Sequence, residues 1–123
     1  MIDAALMADI FDSLTDPFVY VDTDHVIRYM NKAAIHHYEE GTDLIGRSVF
    51  ECHNEQSCRL IKDIFAAFQA GEDERLITDD EKHRIYMRAI RKANGQLRGY
   101  YERYEPPSKM TTSQENKESK YIQ

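Results

Sequence analysis

The chain has 123 residues, 41% hydrophobic and 31% charged, with a formal net charge of −6. That length supports one domain with one modest core, and the acidity sets the field of the whole molecule against phosphate backbones and anionic membrane surfaces. Nucleic-acid and membrane binding are therefore not expected.

No apolar run reaches the roughly 18–20 residues needed to span a bilayer. The N-terminus lacks a basic segment, and Asp3 and Asp9 interrupt its apolar residues, so no signal peptide is expected and a cytoplasmic location follows. Cys52 and Cys58 match neither zinc nor thioredoxin spacing and are expected to be small buried or half-buried hydrophobes.

Ile2, Leu6, Ile10 and Leu14, with Met7 and Phe11 beside them, recur at helical spacing and predict an amphipathic helix over residues 1–15. Pro17 lacks an N–H and restrains Asp16 to extended geometry, which ends it. The apolar stripe has two readings, packing within the monomer or the seam of a homodimer. Phe18–Val21 and Val26–Met30 read as a hairpin around the polar turn Asp22-Thr23-Asp24-His25, where His25 is expected to be exposed and inert. Asn31 caps a short helix through Tyr38, which Gly41 closes in left-handed geometry. The adjacent His36 and His37 point about 100° apart on that helix and cannot share a metal.

Asn54 is a good N-cap for a longer helix, on which Ile61, Ile64, Phe65 and Phe68 form a core face up to Gly71. Three strands follow, at Glu74–Thr78, Arg84–Lys92 and Leu97–Tyr104, the last two joined by an Asn94-Gly95 turn. Alternation puts Tyr86 and Arg88 opposite Met87 and Ala89. Residues 106–123 are polar and aperiodic and read as a disordered tail. No nucleophile stands beside a His/Asp pair and no phosphate-binding Gly-rich loop is present, so an enzyme is not expected.

The order of these elements, with the stretches DPFVYVDTDHVIRYMNKAA, DLIGRSVFECH and RIYMRAIRKANGQLRGYYE, resembles the PAS sensory-domain family over about residues 10–105. That resemblance implies an α+β fold over residues 16–105. It is a five-stranded antiparallel sheet with helices covering one face, and any ligand lies between them. It implies a stand-alone sensor that relays its state to a signalling partner. The alternative is a ligand-free dimerisation and interaction module.

GRSVFECHNEQSCRLIKDIF is further similar to a PAS subgroup with His, three residues and Ser, here His53 and Ser57. That subgroup includes PAS domains beside haemerythrin-like modules and the haem-binding PAS domains of carbon-monoxide-sensing regulators, in which the matching His ligates iron. The expected pocket comprises His53, Val49, Phe50, Ile61, Ile64, Phe65 and Met87, taking haem through His53 or another small molecule. The regulators' second ligand, a Met on the first strand after the long helix, has no match in Arg75–Thr78. Met87, one strand further on, substitutes only if it points inward. In the plainer reading, His53 is a structural histidine near a helix start. Flavin photochemistry is set aside because Val49 stands where the reactive Cys belongs, and covalent haem attachment because Cys52-His53 lacks the first cysteine of its motif.

Overall fold

The computed structural model describes residues 2–107 of the chain. Helix α1 (Ala4–Asp12) starts where Asp3 accepts the Leu6 N–H at 2.8 Å and ends where the Ser13 hydroxyl donates to the Ile10 carbonyl. Strands β1 (Val19–Asp22) and β2 (Ile27–Met30) form the first hairpin. Helix α2 (Lys32–His37) follows, then 3-10 turns at Gly41–Leu44 and Val49–Cys52 and helix α3 (Glu55–Gln69). Strands β3 (Glu74–Asp79), β4 (Arg84–Arg91) and β5 (Leu97–Glu105) complete an antiparallel sheet in the order β2-β1-β5-β4-β3.

Joining the first and last strands at the centre of the sheet brings β1 and β5 very close. Gly99 sits opposite Asp22 with φ 146°, and a side-chain carbon there would run into the Val21 carbonyl and the Tyr20 ring. Only glycine meets both demands. The inner face of the sheet carries Val21, Ile27, Met87 and Tyr100, which pack with Ile64 and Phe68 from α3 and Ala34 from α2. Both α3 residues are fully buried, and half-buried Ile61 and Phe65 widen the same helical face. At the far end of α3, Arg91 donates to the Phe68 and Glu72 carbonyls at 2.7 and 2.8 Å. A cation is thereby placed where the helix dipole favours one.

On the opposite face, α1 packs through Phe11, whose ring stacks on Phe18 at 4.7 Å and lies 5.9 Å from Tyr29. The rest of its apolar stripe is open: Ile2, Leu6, Met7, Ile10 and Leu14 are each 44–55% exposed. Two sequence expectations change. Helix α2 ends at His37 because Tyr38 turns into extended backbone, and Gly41, at φ 55°, opens a 3-10 turn rather than closing the helix. From residue 108 the tail lies outside the described residues, while Pro106 still accepts a hydrogen bond from Arg84.

One buried side chain links these parts. Asn31, fully buried, accepts N–H groups of Phe18 and Ala34 at 2.9 Å each. It donates to the carbonyls of Phe11 at 2.9 Å and Asp16 at 3.1 Å. Replacing it with alanine orphans the Phe18 and Ala34 N–H groups and removes a bond from the Phe11 and Asp16 carbonyls, the former keeping the Leu14 N–H. At about 1–3 kcal/mol per unsatisfied group, Asn31→Ala is expected to lose roughly 3–5 kcal/mol in urea unfolding. Asn31→Asp, which keeps the two acceptor contacts, is expected to lose less.

Candidate ligand-binding cavity

A cavity of about 200 Å³ lies between the inner sheet face and the segment from α2 to α3. Val19, Val21, Met87, Tyr100, Glu102 and Tyr104 form its floor, and Leu44, Val49 and Ile61 its roof. Tyr38, Cys52 and His53 complete one end. Of the expected pocket residues, Val49, His53, Ile61 and Met87 are on this wall. Met87 points inward, 2% exposed, which settles its orientation. Ile64 is in the packed core behind the wall. Phe50 and Phe65 instead close on His25, with ring centroids 4.7 and 4.6 Å away.

His25 is therefore neither exposed nor inert. At φ 64° it is the one described non-glycine residue with positive φ, held by an Asp22 side chain that accepts the N–H groups of Asp24 and Val26. That geometry swings the half-buried imidazole under α3, where Nδ1 shares a 2.9 Å hydrogen bond with the Tyr100 hydroxyl. Its backbone carbonyl accepts the Val49 N–H at 2.8 Å, so a single residue fixes the turn, the roof and the floor. The turn composition marked residues 22–25 as polar but held no sign of this inward rotation.

At the other end of the cavity is a polar chain that sequence reasoning missed. Pairing across β4 and β5 places Glu102 beside Met87 and Tyr104 beside Ile85, all on the inner face. The Tyr104 hydroxyl hydrogen-bonds Glu102 and also reaches Tyr38. Burial raises the Glu102 carboxyl above the ordinary range, opposed by the nearby His53 and His37 and by the Tyr104 bond. Burial also raises all three tyrosines: Tyr38 to about 12, with Tyr100 and Tyr104 shifted in the same direction. The available signal was the alternation Tyr100-x-Glu102-x-Tyr104, an acid between two aromatics on one strand face.

His53 stands exposed at the rim, donating Nδ1–H to the Val49 carbonyl at 2.9 Å. That bond orients the ring, as a backbone carbonyl does for a ligating imidazole. The rest of the site does not fit haem. The volume is below the roughly 300 Å³ at which sites for drug-sized ligands begin, a macrocycle is bulkier than such ligands, and the Glu102 carboxyl projects from the floor. Among the described residues no group of three or more His, Cys, Asp or Glu could hold a metal ion. Of the two cysteines, Cys58 is half-buried as expected and Cys52 is not. Cys52 is exposed on the cavity wall, and half-buried Cys58 donates its thiol to the Phe50 carbonyl at 3.4 Å.

The PAS domain family model matches residues 7–105, and the chain belongs to that family, whose members are typically sensory and signal-transduction modules. A C-terminal domain from Streptococcus mutans superposes with TM-score 0.72 at 18% identity, covering 85% of each chain. A sensory box sensor histidine kinase from Vibrio cholerae gives 0.57 at 17% identity over 80% of this chain and 86% of that one. The PAS domain of Bordetella pertussis BvgS gives 0.55 at 11% identity over 96% and 91%. At these identities the likeness establishes the fold. Comparison with curated proteins gave no match. No described helix is long and apolar enough to cross a membrane.

Desolvation lowers the His25 pKa below its ordinary 6.5, reinforced by Lys62 and opposed by Asp22 and Asp24. The unfolded state then binds more protons than the folded one once pH drops below about 6.5. His25 therefore contributes its full stability above that pH and loses it progressively towards its lowered folded value. His25→Asn, which tolerates left-handed backbone, is expected to be less stable at pH 7.5. Its urea midpoint should also fall less than the wild type's between pH 7 and 5.

Proposed function

We propose that this chain is a sensor that binds a small organic molecule in the cavity under α3 and passes its occupancy to a protein partner. The observation that carries this reading is the cavity itself. An apolar space is closed by Val49, Ile61 and Met87, with a few polar groups, Glu102, Tyr38, Tyr104 and His53, converging at one end. That combination is the usual composition of a small-molecule site.

Occupancy has a short route outward. Met30 lines the cavity, and its neighbour Asn31 holds the Phe11 carbonyl near the end of α1. We propose α1 as the output surface and a second copy of the chain as its first partner, joined through the open stripe of Ile2, Leu6, Ile10 and Leu14. Haem bound through His53 is the other reading. The Nδ1–H bond to Val49 supports it, but the roof would have to lift from the sheet to admit the ring.

Native mass spectrometry of freshly purified protein is expected to show a small adduct. The adduct should disappear in Ile61→Trp, whose indole fills the space from α3. A Soret band on adding haem that is lost in His53→Ala would replace this reading with the haem one. Protein with no adduct, whose stability no small molecule changes, would leave only the ligand-free interaction module. In sedimentation, Leu6→Glu/Ile10→Glu is expected to convert a dimer to a monomer with unchanged circular dichroism. A monomeric wild type would remove the seam.

A further inference from the structure

The cavity wall is electrostatically one-sided. Its acidic side chains are Glu102 on the floor and Glu40 at the edge, and neither lysine nor arginine is on it. Its basic side chain is His53, exposed at the rim and with one ring nitrogen already bonded to Val49. The polar side chains lining the space at that end are therefore Glu102, Tyr38 and Tyr104, with His53 and Cys52 beside them. Beyond His53 and the nearby His37, an anionic ligand finds no lysine or arginine there, and a carboxylate or phosphate would face the like charge of Glu102 in a desolvated setting.

We infer that the ligand is a small organic ammonium ion, its charged head held by Glu102 among the rings of Tyr38 and Tyr104 and its apolar body against Met87, Val49 and Ile61. This rests on the proposal that the cavity is a ligand site and names the chemical class it takes. Several independent features agree. A cation facing carboxylate and aromatic faces gains both a charge-assisted hydrogen bond and the ring quadrupole. The volume of about 200 Å³ restricts the body to a few carbons. The net charge of −6 raises the local concentration of cations around the molecule.

The test uses three near-isosteric probes, n-butylammonium, 1-butanol and butyrate, with the full chain stripped of any adduct by unfolding and refolding. Calorimetry and thermal shift are expected to show saturable binding of butylammonium, with butanol at least about tenfold weaker and butyrate not binding. Glu102→Gln keeps the shape and removes the charge, and should abolish the preference for ammonium over alcohol. If that variant does not fold, the ranking of the three probes on the unsubstituted chain decides alone. Butanol or butyrate binding as tightly as the ammonium would overturn the cation assignment while leaving the small-molecule reading in place. An anionic or neutral molecule recovered from the native protein would do the same. No binding by any probe, together with no co-purifying adduct, would overturn both.

Discussion

The carboxamide of Asn31 is the constraint on which the remaining geometry depends. It is an amide with two acceptor lone pairs and two donor hydrogens, and the fold uses both sides of it. One oxygen starts β1 and caps α2, and one nitrogen ties off α1 and the linker that follows it. Because the group is fully enclosed, no water replaces a bond that breaks. The end of α1, the start of the sheet and the entry to α2 therefore keep their relative positions together or lose them together. Helix α1 on one sheet face and the cavity on the other thus share one joint, through Asn31 and its neighbour Met30.

His25 is the counterpart at the far side of the cavity. Its left-handed backbone turns a surface hairpin inward, and its ring then bridges Phe50 and Phe65 above to Tyr100 below. Roof and floor are held at a fixed separation there, while at the Glu102 end only the Tyr38 and Tyr104 hydroxyls reach across. The ring-packed edge is thus at His25, and the polar groups are at the opposite edge.

Much of the framework was legible because it is governed by local rules. The caps Asn31 and Asn54, the face of α3, the Asn94-Gly95 turn and the alternation along β4 each follow from spacing and residue type alone. What escaped depends on contacts between residues far apart in the chain. His25 reads as a turn residue until its hydrogen bond to Tyr100, 75 positions away, is known. Asn31 reads as a cap, and nothing in its neighbourhood announces the bonds that Nδ2 sends back to Phe11 and Asp16. Phe50 and Phe65 have the right character for a cavity wall, but His25 occupies the place where they would have lined it.

The same alternation explains how the cavity comes to hold a carboxylate but no lysine or arginine. Across β3, β4 and β5, the outer face gathers Glu74, Arg84, Arg88, Arg103 and Glu105. Arg103 there grips Glu74 through two nitrogens at 2.7 and 3.1 Å and stacks over Tyr86 at 4.4 Å. Arg88 and Arg84 complete that network with Glu74 and Glu105. Every arginine of these pairs is committed to a carboxylate on its own side of the sheet. Glu102 has the opposite parity, and the sheet itself separates it from all of them. Its partners are a tyrosine hydroxyl and two histidines near the cavity mouth. A single-residue slip in register would move Glu102 among the arginines and empty the cavity of charge, so the pairing of Met87 with Glu102 determines both the packing and the chemistry of the site.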